Sequence, residues 1–218
     1  MARTEDATLE LFRSVPVIPV VVIDDASLSV PLARALVAGG LGIIEITLRT
    51  AAGIEAIRRI AAEVPEAIVG AGSVLSPATA VLAEKAGARF MVSPGTTALL
   101  RAAFEATALP CLGGAATASE AMVMAEAGFT FMKFFPAETS GGVAALKALS
   151  GPLPHLTFCP TGGIDVQRAA TYLGLPNVVC VGGSWITPAD ALRERAFGRI
   201  EALARAAVHL NDARPVKT

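Results

Sequence analysis

What most limits the folds open to this chain is an alternation that runs from end to end. Short apolar runs are each followed by a longer segment of helical periodicity, eight times over in 218 residues. The apolar runs fall at 17–23, 42–48, 67–71, 89–93, 109–112, 129–135, 156–160 and 178–181 and read as buried strands. The intervening periodicity predicts helices over 28–38, 54–63, 78–86, 98–106, 119–127, 143–149, 166–173 and 189–207. Start and stop signals agree: Ser76-Pro77 and Thr187-Pro188 read as a cap followed by a first-turn proline, Thr117 and Glu120 have capping-box spacing, and Gly39, Gly87 and Gly128 follow helical stretches. Each unit is then about 27 residues, the size of a strand, a helix and two short loops. The pattern predicts an α/β fold, a (β/α)8 TIM barrel forming a single domain over 1–218, with an extra N-terminal helix at 5–13 over its bottom. An open doubly wound sheet shares the local pattern, but the first strand lacks the Gly-x-Gly-x-x-Gly turn of a dinucleotide fold.

Composition removes other classes. Only 17% of residues are charged against 53% hydrophobic, which disfavours disorder. A net charge of −1 without a local Lys/Arg cluster disfavours nucleic-acid binding. The longest uncharged stretch, 169–189, contains Pro176, Asn177, Gly182, Gly183 and Pro188, so it reads as strand and loops, not as a membrane span. The acidic start lacks the features of a signal peptide, and a cytoplasmic location is expected. Cys111, Cys159 and Cys180 are odd in number, without Cys-x-x-Cys spacing, and read as buried reduced thiols. With His155 and His209 the only histidines and no carboxylate cluster evident, no metal site is expected.

In a barrel the chemistry gathers where strands end, so charged residues within apolar strands carry most of the information. The run at 42–49 places Glu45, Thr47 and Arg49 on one face and Ile44, Ile46 and Leu48 on the other. In the run at 129–136, Lys133 shares its face with Phe131 and Phe135. An apolar surround favours a neutral amine, the form that attacks a carbonyl to make a Schiff base. Taken alone, such a lysine reads as a snorkelling surface residue, and Glu45 as half of a structural ion pair. Occurring together at strand ends, they fit an acid/base and a nucleophile.

The last two strands end in Thr161-Gly162-Gly163 and Gly182-Gly183-Ser184. Phosphate in such barrels sits on the loops after strands seven and eight, where glycines let backbone N–H groups approach its oxygens. Ordinary turn glycine is the alternative for either pair alone; two pairs at these positions favour a phosphate site, with Thr161 and Ser184 as hydroxyl ligands. The runs 70–73 and 93–96 are rich in small residues and read equally as room for a substrate or as tight turns. Met122, Met124 and Met132 read as core filler, and Trp185 as a loop anchor or an oligomer contact.

From about Pro16 to Ala207 these residues resemble the 2-keto-3-deoxy-6-phosphogluconate (KDPG) aldolases of the Entner–Doudoroff pathway. The likeness is carried by six motifs in order: Val37-Ala38-Gly39-Gly40, Glu45-Ile46-Thr47-Leu48-Arg49-Thr50, Val69-Gly70-Ala71-Gly72-Ser73-Val74-Leu75, Lys133-Phe134-Phe135-Pro136-Ala137-Glu138, Phe158-Cys159-Pro160-Thr161-Gly162-Gly163-Ile164 and Gly182-Gly183-Ser184-Trp185. The resemblance implies a (β/α)8 barrel, a homotrimer, acting as a class I aldolase with neither metal nor cofactor. It implies Lys133 as the Schiff-base lysine and Glu45 as the general acid/base. Arg49 and Ser73 would hold the pyruvate carboxylate, with Pro94 and Phe135 around the imine. Thr161, Gly162, Gly163 and Ser184 would receive the substrate's hydroxyls and terminal phosphate. Two positions depart from the family pattern: Ser73 replaces a threonine, and Gly113-Gly114-Ala115-Ala116-Thr117 replaces a Pro-Gly followed by a Ser-Thr pair.

The expected reaction is reversible cleavage of KDPG to pyruvate and glyceraldehyde 3-phosphate, with a possible side activity on 4-hydroxy-2-oxoglutarate. Its competitors are a sister aldolase for the galactonate epimer or the hydroxy-keto-glutarate, an isomerase using Lys133 and Glu45 without an imine, and a sugar-phosphate-binding barrel without chemistry.

Overall fold

The computed structural model of the chain describes residues 4–210, with side chains from residue 7 onward. Most of the acidic start read as lacking a leader, and residues 211–218 of the expected single domain, lie outside these described residues. In chain order the elements are α1 (Thr4–Arg13), β1 (Val17–Val21), a short 3-10 turn (Ala26–Leu28) leading into α2 (Ser29–Ala38), β2 (Ile43–Thr47), α3 (Gly53–Glu63), β3 (Ile68–Gly72), α4 (Pro77–Lys85), β4 (Met91–Val92) and α5 (Ala98–Ala106). There follow β5 (Cys111–Leu112), β6 (Gly114–Ala115), α6 (Ala118–Glu126), β7 (Phe131–Phe134), α7 (Gly142–Ser150), β8 (Thr157–Pro160), α8 (Val166–Leu173), β9 (Val181–Gly183), α9 (Ala189–Arg193) and α10 (Phe197–Val208).

The result is an α/β fold around parallel strands. A curled six-stranded sheet runs β5-β4-β3-β2-β1-β9, and a three-stranded sheet runs β6-β7-β8. The last strand thus lies beside the first, with Val17 opposite Val181 and Pro19 opposite Gly183. Two isolated parallel bridges, Phe158 to Val178 and Thr161 to Gly182, join β8 to the segment of β9. At the other edge Gly113 alone separates β5 from β6. The strand expected over 109–112 is found as β5, and β6 continues beyond its expected end because the backbone changes partner: Leu112 accepts from the Ser93 N–H of the β4 side, and Gly113 accepts from the Lys133 N–H of β7.

Every residue of β1, β2 and β7 is buried, which explains their near-continuous apolar sequence. The expected N-terminal helix is present, and its Phe12 is 1% exposed. The Phe12 ring meets Phe90 and Phe131 edge-on at 5.2 and 5.6 Å, sealing the end where β4 and β7 begin. All three cysteines are free and buried, and burial pushes the Cys111 thiol up to about 12. Among the methionines, Met124 and Met132 are core, whereas Met122 is half exposed on α6.

Helix starts follow their caps. Ser76 accepts from the Thr79 N–H with Pro77 in the first turn, and Thr117 and Glu120 form the full capping box of α6. Thr187, read as a cap, is not one: α9 starts after Pro188 without a side-chain bond, and the buried Thr187 hydroxyl has no partner. The helix expected over 189–207 is broken, because Arg195 takes a left-handed φ of 53° and the Ala196 N–H turns back to the Ala191 carbonyl. After α2 the left-handed position is Gly40, not Gly39, whose missing side chain admits the Glu201 carbonyl of α10.

Truncating the ring that closes the lower end, Phe12→Ala, is expected to destabilise the fold by about 3–5 kcal/mol. Urea unfolding measures this, and a loss below about 1 kcal/mol would show that α1 is dispensable.

Candidate active site

Glu45 and Lys133 reach the centre from strands β2 and β7. The Lys133 ammonium donates to Glu45 Oε1 at 3.2 Å, and each side chain is 4% exposed. Lys133 therefore does not snorkel, and its charge is met by a single carboxylate in a largely apolar interior. Strand register brings the two within reach. Glu45 lies between Val20 of β1 and Gly70 of β3, and Lys133 between Gly114 of β6 and Cys159 of β8.

The neighbouring strands are cut back to make room. A Cβ at Gly72 would lie 2.1 Å from Glu45 Oε1, so this glycine is required by close approach, not by a turn. Next in the chain, Ser73 holds a φ of 55°, and its hydroxyl accepts from Arg49 Nε at 3.1 Å. Serine in place of the family's threonine thus keeps the oxygen that fixes the guanidinium. The third polar residue of β2, Thr47, is spent on structure, donating to the Val21 carbonyl at 2.8 Å.

A cavity of about 140 Å³ has a lining that includes Arg49, Phe135, Thr161, Gly162, Gly163 and Ser184. Six of the sequence-predicted residues thus face one space. Glu45 and Lys133 are not in that lining; Lys133 adjoins it through Phe135, its nitrogen 5.4 Å from the centre of the ring. Ser73 touches the cavity through Arg49. Pro94 is not part of that lining, but its backbone packs where a Gly114 Cβ would stand, at 2.3 Å, beside the Lys133 strand. That contact falls at Gly114, where the family pattern also has glycine; at Gly113, the position that departs, a Cβ would meet Met124 Cε at 2.5 Å and Thr96 Oγ1 at 2.7 Å. Gly114 is held on both sides, its N–H by Ser93 Oγ and its carbonyl by Thr96 Oγ1.

The two glycine pairs turn out to differ. Gly162 and Gly163 have φ values of 103° and 76° and form a true turn. Gly182 and Gly183 instead continue β9, and each is a point of close approach: a Cβ at Gly182 would meet Thr161 Oγ1 at 2.2 Å, and one at Gly183 the Trp185 ring at 2.1 Å. Trp185 is thus an anchor of its own loop. Sequence reading missed Val20, Val22 and Ile164 as lining residues, since apolar side chains without a polar neighbour on their face offered nothing to single them out, whereas Gly182, read as part of a phosphate loop, does border the cavity.

A curled parallel α/β fold that buries a lysine against a carboxylate, beside an aromatic ring that lines a cavity, has the construction of an imine-forming carbon–carbon lyase. The family model for KDPG and KHG aldolase matches residues 9–203, and the chain belongs to that family. It is 51% identical over 209 residues to a 2-dehydro-3-deoxy-phosphogluconate aldolase of Dickeya dadantii, covering 95% of this chain and 98% of that one. Among solved structures it is similar to the KDPG aldolase of Legionella pneumophila with pyruvate captured as a covalent carbinolamine intermediate, at a TM-score of 0.90 and 42% identity over 92% of this chain and 98% of that one. It is also similar to the KDPG aldolase of Zymomonas mobilis with 3-phosphoglycerate, at a TM-score of 0.89 and 42% identity over 94% and 97% of the two chains.

Gly72→Ala is expected to push the Glu45 carboxylate off Lys133. Turnover should fall at least about tenfold, the scale of one displaced acid/base group, with circular dichroism unchanged. Wild-type turnover in that variant would mean that Glu45 is free to shift without consequence.

Proposed function

We propose that the chain catalyses the reversible cleavage of KDPG to pyruvate and D-glyceraldehyde 3-phosphate as a class I aldolase of the Entner–Doudoroff pathway. The observation that carries this reading is the buried 3.2 Å contact between Lys133 and Glu45, joined through Phe135 to a cavity lined by Arg49 and the Gly162–Gly163 turn.

Glu45 takes the proton of the Lys133 ammonium, and the freed amine attacks the keto carbon of the substrate. Glu45, now a carboxylic acid, returns the proton to the carbinolamine hydroxyl, which leaves as water and yields an iminium. Through a water, Glu45 then removes the proton of the hydroxyl at the bond to be cleaved. The carbon–carbon bond breaks, glyceraldehyde 3-phosphate leaves, and its bonding electrons pass into an enamine on Lys133. Protonation of the enamine carbon and hydrolysis release pyruvate and restore the pair. The imine is the electron sink, so the scheme calls on no metal or cofactor.

Arg49, fixed by Ser73, would hold the carboxylate, Pro94 and Phe135 would flank the imine, and Thr161, Gly162, Gly163 and Ser184 would take the hydroxyls and phosphate. Binding energy at the phosphate would set the register of the reacting carbons and select phosphorylated substrates. The same pocket accommodates 4-hydroxy-2-oxoglutarate as a side substrate, which the family description supports.

The finer architecture belongs to this reading as well. The sequential order of strands, the bridges between β8 and β9 and the single-residue step at Gly113 support closure of both sheets into one (β/α)8 barrel forming a single domain. A homotrimer is supported by apolar side chains exposed on adjoining helices, Leu82, Leu99, Met122 and Val123. Buried thiols suit a cytoplasmic setting, and among the described residues no helix is long and apolar enough to cross a membrane.

Lys133→Ala should abolish pyruvate release from KDPG with the fold largely retained, as judged by circular dichroism; substantial residual release would remove the lysine from its role. Glu45→Gln should slow exchange of the pyruvate methyl protons in deuterium oxide by about 10²-fold or more, the usual weight of one acid/base group. Exchange at the wild-type rate in that variant would exclude Glu45 as the base.

A further inference from the structure

Behind the Gly162–Gly163 turn lies a group of side chains that the reaction scheme does not use. Arg168, on α8, donates from Nη1 to the Gly163 carbonyl at 3.2 Å and pairs through Nε with Glu138 Oε2 at 3.3 Å. The other Glu138 oxygen accepts from the Tyr172 hydroxyl. Tyr172 is fully buried; burial, and then its bond to Glu138, raise the phenol well above its usual range, so it remains a proton donor. Asp165 holds Arg168 from the other side at 2.9 Å. Glu138, Arg168 and Tyr172 also border a second cavity of about 350 Å³, but their polar groups are already satisfied by one another and by the turn. The cluster is therefore built to hold a backbone, not a ligand.

We propose that Arg168 is a positioning residue for the phosphate end, aiming the backbone N–H groups of the turn by holding the Gly163 carbonyl from outside. A trans peptide points its C=O and N–H in opposite directions. The Gly162 carbonyl accepts from the Glu138 N–H at 3.2 Å, which turns the Gly163 N–H away from Glu138. The Gly163 carbonyl is held by Arg168, which turns the Ile164 N–H away from Arg168. Gly162, Gly163 and Ile164 all border the cavity that Arg49 and Phe135 also line, the space left for those N–H groups to face. A left-handed glycine pair is free to rotate its peptides, so an external clamp is what keeps two donors aimed at once. Close packing makes the clamp tight, since a Cβ on Gly163 would lie 2.8 Å from Glu138 Cγ. Glu138 also follows the Lys133 strand, so the clamp ties the phosphate turn to the strand that carries the nucleophile.

This inference rests on the reading that the turn receives the substrate's phosphate. Its test compares wild type with Arg168→Met, Arg168→Lys and Tyr172→Phe through three readouts: KM and kcat for KDPG, the Kd of inorganic phosphate by calorimetry, and exchange of the pyruvate methyl protons, which involves no phosphate. For Arg168→Met the expected result is a rise of about tenfold in both KM and phosphate Kd, the effect of losing one charged donor. Its methyl exchange should stay near wild type, because that reaction draws on no phosphate contact. Arg168→Lys should recover part of the loss, and Tyr172→Phe should move the same two constants less. Unchanged phosphate Kd in Arg168→Met beside normal methyl exchange would overturn the clamp while the aldolase reading stands. So would a lowered melting temperature with Kd unchanged. A wild-type protein that exchanges pyruvate protons but binds no phosphate would overturn both the clamp and the phosphate role of the turn.

Discussion

The rest of the structure is arranged around one buried ion pair. Taking a lysine and a carboxylate out of water costs several kcal/mol per ion, and a single mutual contact does not reliably repay it. The Lys133–Glu45 pair is joined by one 3.2 Å contact, with the Phe135 ring 5.4 Å from the lysine nitrogen, and is almost wholly excluded from solvent. Well-packed apolar residues would serve stability at least as well. The pair makes physical sense as a stored proton transfer: the acid that must appear when the amine is freed is already in contact with it.

Several features that look unrelated follow from that requirement. Gly72 has no side chain because Glu45 occupies the space. Gly114 is small because the Pro94 backbone presses on the strand beside Lys133. Ser73 takes a backbone angle that non-glycine residues seldom adopt, and so places its hydroxyl against Arg49. On the opposite side, the Thr161–Gly163 turn and Ser184 face the same cavity. On the proposed reading, a substrate held at its two charged ends would lie across the amine, and binding energy far from the reacting carbons would fix their position.

Much of this was legible in the sequence because strand alternation is a strong signal. Glu45 and Arg49 are polar residues at even spacing in an apolar run, and Lys133 is the one charge in another. Less legible was anything decided by close approach between distant segments. Gly182-Gly183 read as part of a phosphate loop after the last strand and proved to lie in the strand itself, emptied of side chains by Thr161 and Trp185. Gly113 read as the end of a strand and proved to be the point where the backbone changes pairing partner. The break at Arg195 carries no glycine or proline to announce it. The Arg168–Glu138–Tyr172 group was invisible because its members are thirty or more positions apart or sit on what reads as an ordinary helix face.

The central claim is that Lys133 forms an imine with a keto acid. The most direct test is borohydride reduction of the protein in the presence of pyruvate, followed by mass mapping of its peptides. A single reduced pyruvate adduct on Lys133 is the predicted result. A folded protein that yields no adduct, or one carried by another lysine, would contradict the account.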